Sequence, residues 1–367
     1  MKNSIMMLVG VAGLAAASQA QVSLTLLKTI STASTSNVAN AEFVGNRVSA
    51  IAWNGTDLYV AGYNNTGAAA NTGIAKYSNA LGAGAWNAAF GQISTSVNRG
   101  FSGLAISGNN LAAAWDNGAG NAAAIRSYDA TTGAKNWFIG DAGAANDSTR
   151  RGSGGVAFEP GFGGSSPSNG SVATAYFGSG RRVAYNGGTG AAVYTTATGM
   201  IINTNPASTT WRDIAFDGNG DVYLREGNRL VKAVRTGENS AAAPATAIGG
   251  LAVNAAIDNQ NLAIGLDAVS NQKFIVLNDR TATGAGQAFA SVIKFFDVNG
   301  TALSVNWNGF AALAGNGAYD FAYDAGSKTL AISDFANQNV YIFAVPTPGA
   351  AALLGLGGLV AARRRRA

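Results

Sequence analysis

The residues of this chain best suited to chemistry are carboxylates, arginines and tryptophans. Asp217, Asn219 and Asp221 alternate in Asp217-Gly-Asn-Gly-Asp221, the spacing at which the first half of a calcium loop presents its oxygens. A complete loop would need Gly at 222 and Glu at 228, and the chain has Val222 and Asn228 there. The same residues make an ordinary hairpin turn, because Asp-Gly and Asn-Gly accept left-handed backbone. The turn is the preferred reading, and calcium is the one cofactor considered. A second group, Arg47, Arg99, Arg150, Arg151, Arg212, Asp213 and Asp320, falls at or just before the starts of short apolar segments. If those segments surround one axis, these charges converge at its mouth and form a candidate ligand-binding set. Otherwise they are solvated loop charges and ion pairs. No catalytic residue is assigned, since paired carboxylates cannot be picked out by spacing alone.

Two absences narrow the chemistry further. The chain has no histidine and no cysteine, which excludes Ser-His-Asp, Cys-His and His-metal sites together with disulfides. Carboxylates, Lys, Tyr and oxygen-ligated hard cations remain.

The +5 formal charge belongs to the ends. Without Lys2 and Arg363 to Arg366, the rest of the 24 Lys and Arg match the 19 Asp and Glu. A balanced body with no basic run is a poor partner for nucleic acid. Charged residues make up 12% of the chain, about half the usual share, while Gly reaches 49 and Pro only 6. Many short strands joined by Gly and Asn turns fit this composition, and sustained helical periodicity is missing.

The elements that would position the candidate residues repeat along the chain. An apolar strand, a turn and a second apolar strand start at Ile51, Leu104, Val156, Ile214, Ile264 and Phe321, spaced 50 to 58 residues apart. A second hairpin recurs in Tyr77 to Trp86, Tyr128 to Trp137, Tyr185 to Tyr194 and Phe296 to Trp307. Each unit therefore reads as four strands. The last unit stops at Pro346 one strand short, and Val22 to Ile30 is a strand without a unit. Pairing the two closes a ring and leaves no open edge. The expectation is an all-β propeller of six four-stranded blades closed by the N-terminal strand; the alternatives are seven blades or a sandwich of repeated hairpins. Trp86, Trp137 and Trp307 are expected to pack between units. Trp53, Trp115 and Trp211 lie nearer the axis, where an exposed ring could stack on a sugar.

The termini read as addresses. Met1 to Ser4 is a basic start, Ile5 to Ala17 an apolar core, and Ser18-Gln19-Ala20 a cleavage site before Gln21. At the other end come Pro346, Thr347 and Pro348, an apolar run from Gly349 to Ala362, and then Arg363, Arg364, Arg365 and Arg366. This tail resembles the PEP-CTERM sorting signal of exported bacterial proteins, with Thr347 where the family has Glu. The resemblance implies membrane insertion, cleavage near the proline motif by an exosortase-type transpeptidase, and display or release at the surface. The run is 14 residues with four Gly, below the roughly 17–25 needed to span hydrocarbon, so it favours a transient anchor. The chain divides into a signal peptide (1–20), a β-propeller domain (21–345) and a sorting signal (346–367). The expected role is non-catalytic binding of polysaccharide or protein in the cell envelope. The alternatives are a propeller-type lyase, lactonase or glycoside hydrolase, and a structural surface component.

Overall fold

Short apolar segments separated by Gly, Asn and Asp fold as β-strands joined by tight turns. The computed structural model describes residues 21–35, 48–62, 70–97, 100–116, 124–139, 155–164, 169–175, 181–195, 198–202, 211–226, 229–242, 246–247, 262–267, 272–278, 289–298, 300–310 and 318–345. Among these the chain is all-β, with three single 3-10 turns and no α-helix.

Strand β1 (Gln21–Ser31) precedes a series of antiparallel meanders. The first contains β2 (Val48–Trp53), β3 (Leu58–Gly62), β4 (Ala70–Ser78) and β5 (Ala85–Val97). The second contains β6 (Gly100–Ser107), β7 (Asn110–Asp116), β8 (Ala124–Asp129) and β9 (Lys135–Ile139). In the third, β10 (Ala157–Phe158), β11 (Ser171–Ala175), β12 (Arg182–Asn186) and β13 (Ala192–Tyr194) pair in order. The fourth has β14 (Trp211–Phe216), β15 (Val222–Glu226) and β16 (Arg229–Ala233), then a separate hairpin of β17 (Arg235–Gly237) and β18 (Ser240–Ala241), before β19 (Thr246–Ala247) completes the sheet.

The remaining strands form one eight-stranded sheet. Half of it is β20 (Leu262–Asp267), β21 (Gln272–Asn278), β22 (Ile293–Phe296) and β23 (Ala302–Asn308). The other half is β24 (Ala318–Asp324), β25 (Thr329–Asp334) and β26 (Asn339–Ala344), with β1 between β26 and β23. Residues 25–31 of β1 run antiparallel to β26, while 21–25 run parallel to β23. The register slips between Leu26 and Lys28, and Leu27 at the slip is 45% exposed. The N-terminal strand therefore ties two meanders together.

Burial explains the arrangement. All six residues of β2 are buried, as are all six of β25, which requires cover on both faces of a sheet. Successive side chains serve opposite faces. Tyr59 and Ala61 enter a cluster with Phe101, Leu104 and Leu111 of the second meander. Leu58 and Val60, the alternate residues, enter another with Ile30, Ala331, Val340 and Ile342 of the last. Further clusters join the second meander to the third, the third to the fourth, the fourth to the fifth and the fifth to the sixth. The first strands touch in the same sequence, and β24 touches β2. By contrast, β23 alternates exposed and half-buried residues, the pattern of a strand at the rim.

The six repeat starts fall in or beside these first strands: Ile51 in β2, Leu104 in β6, Val156 just before β10, Ile214 in β14, Ile264 in β20 and Phe321 in β24. Trp137 is buried between the second and third meanders and donates its indole N–H to Gly187 O at 2.8 Å. Trp86 turns the other way and donates to Ser31 O at 3.1 Å. Trp307 packs edge-on against Phe343 of β26.

If β1 seals the sheet with one face inward, its two faces differ in energy. Leu24→Ala, at a fully buried position, should cost about 2–5 kcal/mol in urea unfolding. Leu27→Ala should cost about 0.5 kcal/mol or less. Equal losses would contradict this placement of the strand.

Candidate functional site

Where the first strands meet they enclose a cavity of about 260 Å³. Its described lining comes from five meanders; Asp213 and Asp320 are its carboxylates, and Trp53 and Tyr323 line it too. The two carboxylates belong to the candidate set read from the sequence, and the fold brings them to one wall. Their strands share a local irregularity. The register shifts near the start of β2, β6, β14 and β24, which interrupts the ladder and redirects side chains there.

Asp320 is buried and both of its oxygens receive backbone N–H groups. Oδ2 accepts from Ile51 N of β2 at 2.6 Å, and Oδ1 accepts from Phe321 N at 2.7 Å. Its own N–H donates to Ser333 Oγ at 2.8 Å. Burial pushes its pKa well above the ordinary carboxylate value, the charge of Asp213 adds to that, and the two N–H bonds act in the opposite sense. Asp213 is half-buried, with Oδ1 accepting from Ile214 N at 2.9 Å. Its carboxylate leans onto the third meander, where a Cβ on Gly155 would lie 1.9 Å from Oδ1. A Cβ there would also stand 3.3 Å from the Asp213 Cα, and one on Gly103 would stand 2.9 Å from the Gly155 Cα, so both glycines sit where backbones approach closely.

Adjacent first strands do not share a ladder, so side chains and bare backbone join them. Asp320 ties β24 to β2, and Ser49 Oγ ties β2 to β6 by donating to Phe101 O at 2.7 Å. Arg212 belongs to β14, but its side chain is outside the described residues, as are Arg47, Arg99, Arg150 and Arg151. The sorting residues Pro346, Thr347, Pro348, Arg363, Arg364, Arg365 and Arg366 also fall outside them. Among the described residues, no helix is long and apolar enough to cross a membrane. Trp53 is buried and donates its indole N–H to Thr329 Oγ1 at 2.7 Å, which takes it out of reach of a sugar ring. The side chains of Trp115 and Trp211 are not among those described.

Asp217, Asn219 and Asp221 form the hairpin turn between β14 and β15. Asp217 Oδ1 accepts from Asn219 N at 2.9 Å and Asp221 N at 3.0 Å, and Gly220 supplies the left-handed φ of 84°. Asp221 Oδ1 accepts from Arg235 N at 2.9 Å, while Oδ2 lies 2.9 Å from Lys232 Nζ. Burial alone would lower the Lys232 pKa, but hydrogen bonds to Tyr223 and Asp221 prevail and raise it. The Asn219 side chain is exposed and does not join the two aspartates. The first meander repeats this device, with Lys76 Nζ 2.8 Å from Asp57 Oδ2 and over the Tyr59 ring. The shared pattern is Asp57-Leu-Tyr59 and Asp221-Val-Tyr223, each with a Lys opposite the Tyr. Aligning the repeats would have revealed that structural role. No group of three or more Asp or Glu that could hold a metal occurs among the described residues.

One charged cluster escaped the sequence reading. Glu159 is buried and takes the position that Asn54, Asp217 and Asp324 hold at the ends of other first strands. Arg182 Nη1 donates to both of its carboxylate oxygens, and Arg235 Nη1 donates to Oε1 at 2.6 Å. Arg235 also reaches Glu238 Oε2 at 3.1 Å, and Arg182 reaches Asn239 Oδ1 at 3.2 Å. The Arg182 guanidinium lies over the Tyr194 ring at 4.7 Å. This network fastens the β17–β18 hairpin to the third meander. The acidic residue at a turn position of the repeat was its one visible signal.

No family model matches the chain, and no curated protein matches it. Solved structures similar to it include an auxiliary nutrient binding protein from Bacteroides thetaiotaomicron, with 10% identity and a TM-score of 0.53. The likeness covers 86% of this chain and 75% of that one. At that identity the likeness establishes the β-rich fold.

Glu159→Ala would leave two buried guanidinium groups without their shared carboxylate. It should lower the unfolding free energy by about 3–5 kcal/mol, measured by urea denaturation. Excess calcium or EGTA should leave the melting temperature unchanged, because N–H groups and Lys232 occupy the carboxylates of the 217–221 turn.

Proposed function

We propose that this chain is an exported, envelope-sorted, six-bladed β-propeller that binds extracellular polysaccharide or protein without catalysing a reaction. Six four-stranded units and first strands in cyclic contact support the blade count. β1 supplies the fourth strand of the last unit. The residues of 1–20 and 346–367 support export, sorting by an exosortase-type enzyme and transient membrane insertion. One observation carries the binding role: several units contribute to a single cavity at which Asp213 and Asp320 converge. Polar groups converging in one concavity are a usual feature of a ligand site.

A secreted enzyme of the lyase, lactonase or hydrolase type is the second reading, favoured by the two carboxyls in one cavity. Asp320 fits that role poorly, because both of its oxygens hold backbone N–H groups.

The binding reading is tested with the fragment 21–345 on a glycan array. Retention of envelope polysaccharide is expected, weakened about tenfold by Asp213→Asn, as for one lost charge-assisted hydrogen bond. Release of shortened or unsaturated products would move the assignment to an enzyme. In a host carrying an exosortase-type enzyme, ending the chain at Val345 should shift the protein from the envelope to the medium; unchanged localisation would remove the sorting proposal.

A further inference from the structure

Backbone forms much of the cavity wall. The first strands β2, β6, β10, β14 and β24 each stand at the end of a sheet, paired on one side only among the described residues. Residues of these strands line the cavity, and its described lining includes none from the second strands beside them. The unpaired edges therefore face the cavity. Individual groups agree with this direction. Ile51 N donates across to Asp320 of β24, while Asn54 N, Glu159 N and Asp217 N donate toward their second strands, to Asp57 O, Ser171 O and Asp221 O. Successive peptide groups of a strand point to opposite sides. Those of Trp53, Phe158 and Phe216, one residue earlier, thus point toward the axis.

Small side chains leave this edge uncovered. Ala52, Ala105, Ala157, Ala215 and Ala322 each follow a repeat start by one residue, and all of them line the cavity. The strands themselves engage the carboxylates. Asp320 uses both oxygens on backbone N–H groups, and Asp213 Oδ1 accepts from Ile214 N.

We propose that the cavity receives a neutral sugar unit, held mainly by backbone groups from several units of the fold. The inference rests on the binding reading above and names its ligand class. Peptide edges offer uncharged donors and acceptors together, and a hydroxyl both donates and accepts. A ring of hydroxyls meets such groups in any order and restores the hydrogen bonds of the water it displaces. A charged sugar would give up hydration to edges that carry no charge. An extended peptide pairs with one strand edge at a time, whereas these edges face one axis from different units. Size points the same way. A volume of about 260 Å³ lies below the roughly 300–1,000 Å³ of pockets for drug-sized ligands, which suits a single unit better than a longer segment.

The test titrates the whole chain with neutral monosaccharides, neutral oligosaccharides, the matching uronic-acid oligosaccharides and an uncharged extended peptide. Calorimetry follows binding, and hydrogen exchange follows the Phe158 and Phe216 amides. A neutral glycan should bind at least about tenfold more tightly than its uronic-acid counterpart and slow exchange at both amides. Equal affinity for monosaccharide and oligosaccharide would mark a free sugar as the ligand, and tighter binding of the oligosaccharide a chain end; either supports the proposal. Ala215→Leu places a larger side chain over the edge and should abolish this binding. If that variant fails to fold, exchange at the two amides of the native sequence decides alone. Preference for the uronic acid, or glycan binding that leaves both amides and the Ala215→Leu affinity unchanged, would overturn the neutral-sugar assignment while the polysaccharide reading stands. Binding of the peptide in place of any glycan would overturn the assignment and move the binding reading to protein. Binding of no member of the panel would end both.

Discussion

Each four-stranded sheet of this protein buries both of its faces, and the rest of the structure follows from that constraint. A sheet apolar on both sides needs two neighbours. The neighbours need neighbours in turn, and the series can end without exposed apolar surface only by returning to its start. The hydrophobic clusters obey this rule, since each is shared by consecutive units, the two halves of the eight-stranded sheet included, and one joins the last to the first. β1 belongs to the same logic. It covers the rim of β26 with one part of its length and that of β23 with another, using chain from the opposite end of the sequence.

The constraint also decides where polar chemistry can occur. Stacked first strands are too close for large side chains at some points and are not hydrogen-bonded as a sheet. Gly103 and Gly155 meet the first condition. Asp320 and Ser49 answer the second by supplying bonds that a ladder would otherwise provide. Carboxylates at the inner end are therefore part of the joint between strands as well as part of the cavity. The Glu159 network does similar work farther out, holding an inserted hairpin by a buried carboxylate between two guanidinium groups. Such a network is costly to interrupt because either partner left alone would be a buried charge.

Much of the architecture was legible because local signals repeat. Short apolar runs, turn residues and aromatic hairpins recur at nearly constant spacing, and the six repeat starts lie in or beside first strands. The partner of Val22 to Ile30 could be inferred because one unit was a strand short; its second partner, β23, could not, since parallel pairing leaves no mark on spacing. The turn formed by Asp217 to Asp221 was legible from its Asp-Gly and Asn-Gly pairs, whereas the Lys held by Asp221, as Lys76 is held by Asp57, depends on which strand lies opposite. Trp53 could be placed near the axis from its strand, yet the direction of its ring depended on Thr329, 276 residues away.

The sequence by itself determined the all-β class, the periodic units, the neutral body and the chemistry ruled out by the absence of His and Cys. These depend on residue type and local order, which the chain carries directly. Only the tertiary structure decided which charges meet. Asp213 and Asp320 are 107 positions apart in the chain, and they share a wall because stacking brings together the bulged starts of distant strands. Glu159, Arg182 and Arg235 converge for the same reason. Proximity between units is set by the packing of whole sheets, and that packing has no local signature.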